Sequence, residues 1–159
     1  MPTQNKFAVL VINSGSSSVK FTLFGIKDEK VLAEGIVERI GLEGTQIAYT
    51  PCHGKKLTRA VAVSNARDAV SMIVECLVHG EYGVIASSGA VAAIGHRVVH
   101  GGEKIHTSVV IDQNVKNIIK ECSILAPLHN PPNLEGIEAC ERIFSRSEER
   151  RVGKECRSR

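Results

Sequence analysis

The chain has 159 residues, an ordinary globular composition and a formal net charge of +3, so one domain with one respectable core is expected. The whole charge excess lies in residues 145–159, where six Arg or Lys face three Glu, and the neutral remainder excludes a general nucleic-acid-binding surface, which needs clustered positive charge. Five widely spaced cysteines (Cys52, Cys76, Cys122, Cys140 and Cys156) without a C-x-x-C argue against a disulfide frame or zinc site and for free thiols in a reducing compartment, the cytoplasm, and neither a secretory leader nor a membrane-span-length apolar run is visible.

Residues 7–12, FAVLVI, form a short unbroken apolar run rich in β-branched residues, which predicts a central strand covered on both faces. After the polar tip at residues 13–18 the pattern alternates, with Val19, Phe21 and Leu23 on one face and Lys20 and Thr22 on the other, so the chain returns as a second strand. The tip holds Asn13, Gly15 and four serines, Ser14, Ser16, Ser17 and Ser18, followed by Lys20. Backbone N–H groups, hydroxyls and one ammonium together suit a polyanion such as a phosphate chain. Neither the Walker pattern nor the dinucleotide fingerprint is present, and a loop between two strands has no helix dipole to offer. Taken alone, the tip also fits a serine-rich surface turn.

Residues 27–30 make a polar turn and residues 31–40 a third strand, completing a meander. Residues 41–63 are interrupted by Gly41, Gly44, Pro51 and Gly54 and predict an inserted hairpin built from 45–49 and 56–61. Residues 65–79 carry apolar groups at Ala69, Val70, Met72, Ile73, Cys76 and Leu77, the spacing of a helix with one buried face, capped by Ser64 or Asn65. Gly80 and Gly83 bound a polar break, and the small apolar residues 84–93 that follow suggest partly helical structure.

Residues 92–100 predict a strand with Arg97 and Val99 on one face and His96, Val98 and His100 on the other. Arg97 has the geometry for a bidentate pair with a carboxylate, with Val99 placed to touch an adjacent methyl; a salt-bridged arginine at a strand edge is the alternative. His96 and His100 read as packed or hydrogen-bonded histidines. Residues 112–122 predict a second helix capped by Asp112, with Val115, Ile118 and Ile119 inward. The stretch LAPLHNPP at residues 125–132 is stiffened by Pro127, Pro131 and Pro132, which present Leu128 and His129 from a rigid loop. A third helix is expected over 134–144, started by Asn133.

Three motifs, NSGSSSVK at 13–20, GHRVVHGG at 95–102 and LAPLHNPPNLEGI at 125–137, occur in the order and spacing of the acetokinase family, and the chain resembles that family from about residue 6 to 144. The resemblance implies an α/β fold: the N-terminal half of a duplicated actin-like (ribonuclease H-like) ATPase, with a mixed sheet opened by a β-meander and flanking helices. It also implies a phosphotransferase moving the γ-phosphoryl group of ATP reversibly to acetate with Mg²⁺, Mn²⁺ being the alternative metal. By the same resemblance Asn13 would contact the metal–phosphate end, while Ser16, Ser18 and Lys20 would hold the loop and phosphates. Arg97 would bind the carboxylate, Val99 and Leu128 would line the methyl pocket, and His129 would donate to the phosphoryl oxygens in flight. A smaller residue at Val99 would be expected to admit propionate.

The family's catalytic aspartate, second histidine, second arginine, magnesium-binding glutamate and adenosine pocket have no counterpart in residues 145–159. That charged tail reads as non-homologous, disordered or translated adapter sequence, following an incomplete domain at 1–144. The expected small-molecule substrates are acetate and ATP, with no nucleic acid or membrane partner. The family homodimer interface is expected to lie largely in the absent part. Two alternatives are a non-catalytic half-domain and a sister kinase for propionate or butyrate.

Overall fold

The computed structural model describes residues 6–145 and 153–158, with side chains described for residues 6–144. Its centre is one sheet of mixed direction. Strand β1 (Ala8–Ser14) pairs antiparallel with β2 (Ser18–Gly25), which pairs with β3 (Val31–Glu38), followed by β4 (Gln46–Pro51) and β5 (Leu57–Ala60). On its other side β1 pairs parallel with β6 (Val91–Val98), and beyond it lie β8 (Gly153–Ser158) and β7 (Val109–Val110), giving the order β5-β4-β3-β2-β1-β6-β8-β7. Helix α1 (Ala66–Val78) carries the crossover from β5 to β6, while α2 (Gln113–Glu121) and α3 (Asn130–Ser145) precede β8. Parallel neighbours need such long crossovers because the chain must return to the same end of the sheet.

Both predicted caps form. The Asn65 side chain accepts from the Asp68 N–H at 2.9 Å, and the Asp112 carboxylate accepts from the Val115 N–H at 2.8 Å. Each satisfies a backbone donor that the first helical turn leaves without a partner. The helices then bury their apolar stripes on one face of the sheet. Leu10, Ile12, Val19, Phe21, Leu23 and Ile94 meet Ala69, Val70 and Ile73 of α1 and Ala139, Cys140 and Phe144 of α3. A smaller cluster joins Val115, Ile118 and Ile119 of α2 to Ile137 of α3 and Val98 of β6, with a half-buried ion pair of 2.9 Å between Lys116 and Glu141 alongside.

Several expectations change. The β1 run is covered on one side: Ala8, Leu10, Ile12 and Ser14 are buried, whereas Val11 is 37% exposed and Val9 and Asn13 are half-buried, because the apolar clusters gather on the face of the sheet that α1 and α3 cover. The hairpin expected within residues 41–63 forms as β4 and β5, but it stands in the main sheet, continuing the meander to five strands. Residues 84–90 contain only a 3₁₀ turn at Ser88–Ala90, and β6 stops at Val98, so Val99 and His100 lie past its end. Helix α3 begins at Asn130, before Pro131 and Pro132, since proline is tolerated in a first turn whose N–H groups have no intrahelical acceptor. Within the tail, read from sequence as disordered or adapter sequence, 153–158 form β8, parallel to β6 from Ala93 to Val98. The backbone of Ser145 belongs to α3, and 146–152 and 159 lie outside the described residues.

Candidate functional site

Partners in register share a face of a sheet, and this brings three predicted residues into one row. Asn13 pairs with Lys20. On the other side Ile12 pairs with His96, both buried under the helices, so the next residues along, Asn13 and Arg97, emerge together on the opposite, open face. Lys20, Asn13 and Arg97 therefore stand side by side on β2, β1 and β6, spanning about 10 Å at the usual strand spacing. Lys20 and Arg97 are exposed, and among the described residues neither is in an ion pair. The salt-bridged edge arginine is thus not what forms: β6 is an interior strand with β1 and β8 on its flanks.

The tip is a tight hairpin. The Gly15 N–H donates to the Ser18 carbonyl at 2.7 Å, leaving Ser16 and Ser17 exposed at the turn, and the Ile40 N–H donates to the Ser17 carbonyl at 2.9 Å. Ser18 lies two residues before Lys20 and so on the same open face. A Cβ at Gly15 would meet Ser18 oxygens at 3.5 and 3.6 Å, ordinary contacts, so the internal packing does not demand glycine there. Beside Val11, the open face of β6 carries Gly95, which leaves bare backbone as the floor next to Arg97.

Val99, Leu128 and His129 lie off the sheet. Leu128 is 74% exposed, and His129 is exposed in the turn that leads into α3. Asn133, expected to start the third helix but lying inside α3 because the helix already begins at Asn130, and Asn130, which the sequence reading passed over, connect this turn to the strands. Asn133 accepts from the Val99 N–H at 3.0 Å and donates to the Ser14 carbonyl at 2.7 Å. Asn130 accepts from the His100 N–H at 3.2 Å and donates to the His100 and Ile119 carbonyls at 2.8 and 3.0 Å. Their spacing of three, on one face of a helix, was the available signal in NPPN, but nothing local reveals partners 11 to 119 residues away. His100 also accepts from the Gly102 N–H at 3.0 Å, and His96 is buried, as expected for histidines packed around the strand.

Among the described residues no group of three or more His, Cys, Asp and Glu is placed to hold a metal ion, and no helix is long and apolar enough to cross a membrane. The perturbed ionisable groups lie under the meander, away from the cationic row. Burial, with the neighbouring Cys76, Cys52 and Tyr82, pushes the Tyr49 hydroxyl up to about 12, and burial likewise raises the Cys76 thiol.

A mixed sheet opened by a long meander, with crossover helices, is the actin-like ATPase architecture of its structural neighbours. The acetokinase family model matches residues 8–153, reaching past Phe144, and the chain belongs to that family. Similar relatives include the acetate kinases of Alkaliphilus metalliredigens and Methanosarcina thermophila, each 48% identical over 136 residues. These alignments cover 86% of this chain but 34% and 33% of those proteins, so the chain spans about a third of the relatives' length. Among solved structures, Porphyromonas gingivalis acetate kinase superposes with a TM-score of 0.89 at 39% identity, covering 96% of this chain and 37% of that one. A propionate kinase from Francisella tularensis superposes at 0.82 with 33% identity, covering 96% and 36%.

Proposed function

We propose that this chain supplies the phosphate-loop and carboxylate-binding side of an acetate kinase, which transfers the γ-phosphoryl group of ATP to acetate to give acetyl phosphate and ADP. The observation that carries this reading is the row Lys20–Asn13–Arg97 on one open face, with both cations lacking a carboxylate partner among the described residues. Two anions repel, and a site that brings them together needs fixed positive charge on both sides of the reacting line. Arg97 presents a planar fork to the acetate carboxylate. Lys20, the Ser16 and Ser18 hydroxyls and the tip amides face the phosphates, and Gly15 leaves room for their oxygens to approach the backbone.

Val99 and Leu128 border the methyl group, and His129 donates to the transferring oxygens. Acetate is already ionised, so no general base is required; positioning and charge neutralisation are the protein's contribution to a loose transition state. Mg²⁺, or Mn²⁺ in its place, fits this donor set through the Asn13 carboxamide oxygen together with nucleotide phosphate oxygens, since Mg²⁺ commonly takes few protein ligands. Bound there, the cation would neutralise phosphate charge. A cytoplasmic address and a homodimer, with its interface in the remaining two thirds, belong to the same proposal.

Two further readings have their own support. With only about a third of the relatives' length present, the 159-residue chain by itself is expected to be a non-catalytic half-domain. The propionate kinase likeness keeps a longer acid, propionate or butyrate, as the alternative substrate. The test is a full-length acetate kinase whose N-terminal segment is replaced by residues 6–144 of this chain. It is expected to form acetyl phosphate from ATP and acetate, with Arg97→Ala lowering kcat/KM for acetate roughly a hundredfold or more. Near-parental kinetics in that variant remove Arg97 from the site, and preference for propionate or butyrate selects the sister activity. ADP formation by the 159-residue chain alone contradicts the half-domain reading.

A further inference from the structure

Resting on that reading, we infer that Asn130 and Asn133 are positioning residues that fix the phosphate side of the site relative to the carboxylate side. Asn133 spans the two strand exits directly, with its Oδ1 on the Val99 N–H and its Nδ2 on the Ser14 carbonyl. Ser14 opens the serine tip, and Val99 stands two residues after Arg97. Asn130 meets His100 as a neighbouring strand would, accepting from its N–H and donating to its carbonyl, and it also holds the Ile119 carbonyl at the end of α2. Val99 and His100 lie past the end of β6, and these carboxamides take the place of a sheet ladder there.

Three features make the role specific. The two side chains are 0% and 4% exposed, so water cannot replace the bonds they make. Each uses both ends of its amide, which no other side chain of that length offers: aspartate keeps the acceptor but sets a carboxylate oxygen against the Ser14 carbonyl. Gly136, one turn further along α3, faces Ser14 so closely that a Cβ would lie 2.5 Å from the Ser14 Cβ, and that approach brings the Asn133 amide within reach of β1. Because His129 immediately precedes Asn130, the same turn also fixes where the loop imidazole starts.

The experiment uses the full-length chimera. Asn133→Ala is expected to lower kcat roughly a hundredfold, as an ångström-scale misplacement of reacting groups does, with the KM values for ATP and acetate moving far less. Asn133→Asp is expected to regain part of its kcat as pH is lowered below neutrality, because the protonated acid recovers an O–H donor for the Ser14 carbonyl; Asn133→Ala shows no such recovery. Parental kcat and KM values in the folded Ala variant, or an Asp variant with the Ala variant's pH profile, overturn the inference. If the parent chimera makes no acyl phosphate from any short acid, the functional reading has failed. The clamp is then judged by amide hydrogen exchange in the 159-residue chain. Protection of Val99 and His100 that is lost in Asn133→Ala and Asn130→Ala supports it, and unprotected amides in the parent overturn it. Should the Ala variants not fold, Asn133→Asp compared above and below neutral pH gives the same contrast.

Discussion

Tyr49 shows how much a single side chain can be asked to do beneath the meander. It is fully buried, stacks on Phe21 at a centroid distance of 6.2 Å, and donates from its hydroxyl to the Tyr82 carbonyl at 3.1 Å. Burial raises its ionisation from 10.0 to about 12. Below the lower value both folded and unfolded chains keep the proton, and this group adds no pH dependence to stability. Between the two values the unfolded chain releases the proton while the folded chain holds it, so unfolding becomes progressively easier as pH rises. The expected outcome is that the parent chain loses stability relative to Tyr49→Phe across this alkaline interval, measured by urea denaturation at stepped pH. Parallel curves for the two proteins would place the Tyr49 hydroxyl in water. At this scale the site candidates Asn13, Ser16, Ser18, Lys20, Arg97 and His129 could be picked out because they fall inside contiguous motifs, and strand register sets Asn13, Lys20 and Arg97 in one row. The sequence concealed the links made by Asn130 and Asn133, whose bonds to Val99, His100 and Ser14 join segments far apart in the chain.

Elements whose determinants are local were legible, and those defined by distant neighbours were not. The Asn65 and Asp112 caps, the turn between β2 and β3 and the alternation of β2 each depend on a few adjacent residues, and they form as read. Strand β1 misled because an unbroken apolar run ordinarily signals cover on both faces, whereas α1 and α3 cover one. The two faces should respond differently to substitution. Leu10→Ala, beneath the helices, is expected to cost about 2–5 kcal/mol, while Val11→Thr, one position along on the open face, is expected to stay within about 0.5 kcal/mol. Equilibrium urea unfolding of both variants of the 159-residue chain checks this. Equal losses would mean that Val11 is as well covered as Leu10. The β4–β5 hairpin was legible as a hairpin but not as part of the main sheet, since strand order depends on which edge is free when it arrives, and no residue pattern records that.

In the whole molecule the largest departure from expectation is β8, which lies between β6 and β7 although its sequence has the charged composition of a tail. Composition reports the cost of burying a segment from its side chains, but a parallel strand gains its place through backbone pairing as well. Ending the chain after Ser145 is expected to lower the thermal midpoint and to promote self-association through the uncovered β6 edge, read by calorimetry and light scattering. A shortened chain with the parental midpoint that stays monomeric would show that β8 contributes nothing to the fold.

The parallel pairing of β1 with β6 sets a timetable for synthesis. Ala8 finds its partner Val91 roughly eighty positions later, and at the roughly 5–20 residues per second of translation that is a wait of several seconds. During this wait the hairpin to β2 can already have closed, because its contacts are local, while the opposite flank of β1 remains an unfilled backbone template beside the ribosome. A nascent chain of this family therefore passes through a stage in which its serine tip is formed but its first strand is still half-zipped, and that is the moment at which a holding chaperone would have most to grip.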